Sequence, residues 1–192
     1  MIDSPIFFAA LTYTPAILGF LGCIKPKTIF PLAILALLGI AGLSLIALQT
    51  GYEISYKLMW IGGIEFTFDK YTFPLLFAAS ISLLIVFSTY RDKLSHYFYQ
   101  ICLVLLTALT VSFSAQDLIS IYIALELTGF CAFILIADRN DNKSLFHSFQ
   151  YLIGGGLAML IYLIGVVQGF QFSGSFLISD LSTATTPALC LI

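Results

Sequence analysis

Six long apolar runs, each bounded by short polar or charged punctuation, predict an all-α, polytopic transmembrane bundle. Composition points the same way: 60% of the 192 residues are hydrophobic and 9% are charged, where a soluble domain carries about 25% charge. Eight basic and ten acidic side chains cannot cover the surface of a water-soluble chain this long. The solvent around most of the chain is therefore lipid. No basic run suggests nucleic acid, and the formal net charge is −2.

The predicted spans are residues 5–23, 28–49, 71–90, 97–115, 117–137 and 147–169. Lys25-Pro26-Lys27 divides the first two, Arg91-Asp92-Lys93 closes the third, and Asp138 to Lys143 separates the fifth from the sixth. Met1 to Pro5 lacks the positive region of a signal peptide, so the first run reads as a mature helix. Helices four and five nearly touch in sequence, with a tight turn expected at Ser114 to Asp117 and Asp117 as helix N-cap. A seventh run begins near Pro187, and the chain stops at Ile192. The expectation is a single membrane domain over 1–192, the N-terminal part of a longer bundle.

Residues 50–70 form the one sizeable loop, expected outside the membrane. Tyr52 to Leu58 and Ile64 to Asp69 each alternate polar and apolar residues around Gly62-Gly63, a β-hairpin signal. Open strand edges are not tolerated in hydrocarbon, which puts this hairpin at the membrane surface. Tyr90, Tyr97, Tyr99 and Trp60 stand near run ends, as interfacial aromatics do.

Lysine and arginine set the orientation. Lys25, Lys27, Arg91, Lys93, Arg139 and Lys143 fall in the loops after helices one, three and five; only Lys57 and Lys70 fall on the other side. This places the N-terminus outside an inner membrane of bacterial type, or an equivalent energy-transducing membrane.

Glu126 is the residue composition does not explain. It stands at the middle of the fifth run, where a charge costs about 2.5–3.5 kcal/mol on insertion scales. That cost falls if the carboxylate takes up a proton or faces a wet interior, and both make its protonation sensitive to surroundings. Tyr122, four residues earlier, shares its helical face and is a candidate hydrogen-bond donor. Gly129 and Thr128 leave room for a neighbouring helix or water. The alternative is a protonated glutamate serving as interhelical glue. In the sixth run, His147, Gln150 and Gly154 make a polar stripe that suggests a hydrated path toward Glu126 with His147 as relay. A histidine resting among headgroups explains His147 equally well. Gly154-Gly155-Gly156 reads as a close-packing surface rather than a phosphate loop.

Cys23, Cys102, Cys131 and Cys190 show no metal-ligand spacing, and the bland reading is small buried hydrophobes. Nucleotide-loop, metalloprotease and nucleophile-elbow motifs are missing from the sequence, and His96 and His147 both lie near run ends. The expectation is no bound cofactor, no metal and no bond-making catalytic site within this stretch.

Three features carry a family resemblance: Phe66 to Thr72, which looks like an extended "L-D-x-L-S" lead-in to a third helix; Asp117 to Leu127, which carries "Y/F-x-x-x-E-L/M"; and a charged loop with Lys143-Ser144 before a glycine-rich sixth helix. The stretch from Asp69 to about Gly169 resembles the antiporter-like membrane subunits shared by respiratory complex I, its relatives, and Mrp-type cation/proton antiporters. The resemblance implies a subunit of a multi-subunit complex that moves protons or Na⁺ by coupled protonation. It implies that Glu126 is the acidic half of an ion pair with a lysine on a seventh helix. Gln150 stands before Tyr151 where many members carry a lysine, and the seventh helix lies beyond the sequence. Within complex I the assembly would oxidise NADH and reduce quinone, this chain carrying only the proton path. The alternatives are an Mrp-type Na⁺/H⁺ antiporter subunit without redox partner, and a truncated structural remnant that does not transport.

Overall fold

The computed structural model describes residues 4–24, 29–51, 53–57, 64–90, 95–137 and 142–181. Six long helices follow the predicted runs: α1 (Ser4–Ile24), α2 (Ile29–Thr50), α3 (Thr72–Thr89), α4 (His96–Ser114), α5 (Leu118–Ile136) and α6 (Asn142–Ser173). A single turn, α7 (Ile178–Leu181), comes after them. Strands β1 (Ile54–Lys57) and β2 (Glu65–Phe68) pair as a two-stranded sheet between α2 and α3, as the alternation predicts. The glycine turn at 62–63, Trp60, the charged segments at 25–27, 91–93 and 138–141, and the run near Pro187 lie outside the described residues.

Among the described residues, five helices are long and apolar enough to cross a membrane, from Phe30–Thr50 to Lys143–Ser173. The chain is a multi-pass membrane protein. The remaining predicted span, residues 5–23, is α1, 21 residues long, with Pro15 inside it; membrane helices tolerate such a proline where neighbouring groups satisfy the freed carbonyl. The larger departure from prediction is α6. It starts five residues before its apolar run and extends over 32 residues, about 48 Å at 1.5 Å per residue. A hydrocarbon core is about 30 Å thick, so both polar ends of α6 reach past it. Ser148 near its start donates to the Ser144 carbonyl at 2.7 Å. Gly174 closes the other end in a left-handed conformation (φ 69°), its N–H donating to the Phe170 carbonyl at 2.8 Å.

The chain forms two compact units, residues 1–56 with 68–114, and residues 57–67 with 115–192. In the first, α2 packs along α3 and α1 along α4. Gly19 permits the latter approach, because a Cβ there would stand 3.2 Å from the Gln100 carbonyl oxygen. Tyr99 anchors the core. It is 2% exposed and makes edge-on contacts with Phe87 (4.7 Å between centroids) and Phe30 (5.5 Å). The expectation of Tyr99 as an interfacial residue is thus corrected. It is placed one turn into α4, where the bundle interior outcompetes the headgroup zone, whereas Tyr90 and Tyr97 are exposed. Ser44, Ser80 and Thr110 are buried and return their hydroxyls to carbonyls of their own helices, which satisfies them without water.

Asp69 starts α3. Its Oδ1 accepts from the Tyr71 N–H (3.0 Å), the Thr72 N–H (2.9 Å) and the Thr72 hydroxyl (2.9 Å). Burial pushes this carboxyl up, but the hydrogen bonds from Thr72 and Tyr71 outweigh it, and the net pKa lies below the usual 3.8. A depressed carboxyl pKa stabilises the fold above the unfolded-state value, and the benefit disappears as pH falls through the folded-state value. Asp69→Ala should cost about 1 kcal/mol at neutral pH, as lost caps do. Thermal melts of the detergent-solubilised protein should show that difference between variant and wild type shrinking below pH 3.8.

Candidate functional site

The second unit is organised around the start of α5. Residues 115–117 make two antiparallel bridges rather than the tight turn expected from sequence, and α5 begins at Leu118. On one side Ala115 bridges Phe66, and the Gln116 N–H donates to the Glu65 carbonyl at 2.8 Å. The Gln116 side-chain amide also donates to the Thr67 hydroxyl. On the other side Asp117 bridges Leu177, the Leu118 N–H donates to Phe176, and the Ile178 N–H donates to Gln116. Asp117 is the expected N-cap: its backbone is extended, and Oδ1 accepts from the Ser120 N–H at 2.8 Å. The residue is fully buried, and its Oδ2 has no partner among the described residues. Leu118, Val166 and Leu181 form the apolar core beside it, with Tyr162 and Phe176 packed against them.

Glu126 is the ninth of nineteen residues in α5, at the middle of the span, and half-buried. Among the described residues no hydrogen-bond or ion-pair partner reaches its carboxylate. Tyr122 shares its face, with no direct hydrogen bond between the two side chains. Its ring lies parallel to that of Tyr162, with centroids 6.3 Å apart and planes at 9°. Four-residue spacing put Tyr122 on the right face; it could not show that an aromatic ring forty residues later lies against it. Thr128 spends its hydroxyl on the Ala124 carbonyl at 2.9 Å.

His147 and Gln150 do come together, with Nδ1 3.3 Å from Oε1 on the exposed first turns of α6. Their depth relative to Glu126 follows from the α5–α6 contacts. Tyr122 meets Tyr162 and Phe133 meets Phe149, so the helices run antiparallel. Glu126 is then level with about residue 157, and His147 stands about 15 Å away along the axis. His147 is no direct neighbour of Glu126, whereas Gly154 to Gly156 lie near its level. A Cβ added at any of these three glycines, or at Gly129, would meet nothing within 4 Å.

Tyr162 is the polar residue that sequence reading passed over. Its hydroxyl donates to the Leu118 carbonyl at 3.1 Å. A tyrosine inside an apolar run, away from either end, was the available signal. Cys102 and Cys131 are buried as small hydrophobes. Among the described residues, no group of three or more His, Cys, Asp or Glu side chains is assembled for a metal.

Residues 115–190 match the membrane family described as NADH:quinone oxidoreductase/Mrp antiporter. Among curated proteins, NADH-quinone oxidoreductase subunit N of Dehalococcoides mccartyi is 30% identical over 149 residues, covering 74% of this chain and 30% of that protein. NADH-ubiquinone oxidoreductase chain 2 of Dictyostelium citrinum is 34% identical over 71 residues, 37% of this chain and 14% of that one. The chain thus spans less than a third of the length of these relatives. The fold is that of a subunit in the Mrp complex from Dietzia sp. DQ12-45-1b (TM-score 0.84, 15% identity, 100% of this chain and 40% of that one). It also matches a chain of the membrane-bound sulfane sulfur reductase, an archaeal respiratory membrane complex (TM-score 0.80, 18% identity, 94% and 40%). The chain belongs to the family of antiporter-like membrane subunits shared by NADH:quinone oxidoreductases and Mrp antiporters.

Proposed function

We propose that this chain is part of a proton-translocating subunit of an NADH:quinone oxidoreductase-type membrane complex, and that Glu126 takes up and releases the moving proton. The observation that carries this reading is a half-buried carboxylate at the middle of a membrane-spanning helix, on the same face as Tyr122. A carboxylate at that depth lowers its cost by taking up a proton or by facing water or a cation, and each makes its protonation sensitive to what comes near it. The relatives in sequence, named as subunit N and chain 2 of such oxidoreductases, support the redox-linked assembly over the Mrp type. The shared fold with the Mrp complex supports Na⁺/H⁺ antiport as the second reading. Proton uptake into vesicles holding the assembled complex separates the two: the first requires NADH oxidation, and the second proceeds on a Na⁺ gradient alone. Glu126→Gln tests the carboxylate itself. Transport should be lost while assembly is kept, and normal transport would refute its role.

His147 and Gln150 are placed in this reading at the cytoplasmic mouth, about 15 Å from Glu126 along the axis. The alternating lysine and arginine count puts the N-terminus outside. A cysteine introduced at position 140 should then react with an impermeant maleimide only from the cytoplasmic face, and labelling from outside would reverse the orientation.

A further inference from the structure

We propose that Asp117 and Tyr162 form the end of a proton path that runs along the α5–α6 seam, from Glu126 through Tyr122. The proposal rests on the reading of Glu126 as the transport carboxylate. It starts from an oxygen that helix capping leaves unexplained. Capping requires one acceptor, and Asn or Ser supplies it as well as Asp. Asp117 gives Oδ1 to the Ser120 N–H and keeps a second carboxylate oxygen, fully buried and without a partner among the described residues. Leaving such an oxygen buried and unpaired is costly, and capping does not account for it.

The neighbours of Asp117 lead inward. Tyr162 packs against Leu118, the residue next to Asp117, and its hydroxyl donates to the Leu118 carbonyl at 3.1 Å. The Tyr162 ring is parallel to that of Tyr122. Leu118, Tyr122 and Glu126 follow at four-residue intervals and so share one face of α5. From Asp117 to Tyr122 the helix rises about 7.5 Å, and from Tyr122 to Glu126 about 6 Å. These steps suit hydroxyl rotation together with single bridging waters.

A proton on Glu126 passes to a lone pair of the Tyr122 hydroxyl, whose own proton moves on to Tyr162. Tyr162 in turn releases its proton to Asp117 Oδ2. Glu126 ends as carboxylate and Asp117 as carboxylic acid. Both tyrosines end as they began, so one proton has moved and no charge has been created.

Asp117→Asn in the assembled complex isolates this role, because asparagine caps a helix as well as aspartate but cannot carry the proton. The expected result is proton uptake into vesicles slowed about a hundredfold, the low end for a positioned proton-transfer group, with thermal stability and assembly as in wild type. Asp117→Ala should lower stability as well, since the cap is lost with the acid. A wild-type rate in Asp117→Asn overturns the path and leaves Asp117 a cap. If Asp117→Asn does not assemble, Tyr162→Phe decides the matter by the same measurement, and normal uptake in it overturns the path. Glu126→Gln is run beside them. Uptake blocked in Glu126→Gln but normal in Asp117→Asn refutes the path alone, whereas normal uptake in Glu126→Gln refutes the reading of Glu126 and the path with it.

Discussion

Glu126→Gln in the assembled complex should reduce proton uptake to the leak of empty vesicles while leaving the protein as stable as wild type, or more so. The two halves of this result have one physical origin. Glutamine is nearly isosteric with glutamate and keeps a hydrogen-bonding group at the same place. A charge at the middle of a membrane helix costs about 2.5–3.5 kcal/mol on insertion scales, and the substitution removes that cost. A purely structural carboxylate would behave in the opposite way, losing stability while transport followed the amount of assembled protein. Glu126→Asp keeps the titrating group one methylene nearer the backbone and should retain partial transport. Stability from thermal melts and initial rates from a pH-sensitive dye, measured on one preparation, separate these cases.

Phe87→Ala should produce the largest loss of stability in the first unit, about 3 kcal/mol, the lower end for deleting a buried phenylalanine. Phe87 has no exposed surface and meets Tyr99 edge-on at 83°. Tyr99 also touches Phe30 and Phe98, so the vacated space opens onto a cluster that joins α2, α3 and α4. The lower end applies because the unfolded reference for a membrane helix is itself surrounded by lipid. The substitution forfeits packing contacts, and little transfer energy from water is added to that loss. Denaturation in mixed detergent measures the change, and Phe87→Leu should recover most of it.

The helices were legible because lipid asks a simple thing of a sequence: about twenty apolar residues with polar ends. The hairpin was legible from the alternation on either side of Gly62-Gly63. The length of α6 was not, because Asn142 to Phe146 are compatible with helix or loop and hydropathy reports only the immersed part. Glu126 was visible as a carboxylate where composition offered no reason for one. Its surroundings were not visible, because Tyr122 had two possible partners and only the fold shows that it lies against Tyr162. The pairing of 116–118 with 176–178 was hidden for another reason. Ser175 to Ile178 show no alternation, and nothing local marks them as partners of residues sixty positions earlier. The unpaired oxygen of Asp117 belongs to the same class, since a cap is readable from sequence and the fate of its second oxygen depends on the fold.

Glu126 gains and loses a proton in each transport cycle on this account, and infrared difference spectroscopy reads that event directly. Spectra of vesicles holding the assembled complex are compared with and without turnover. The expected result is a carboxylic-acid carbonyl band that rises or falls with turnover, shifts in D₂O, and is missing in Glu126→Gln. The same band persisting in Glu126→Gln, or no such band in the wild type, would contradict it.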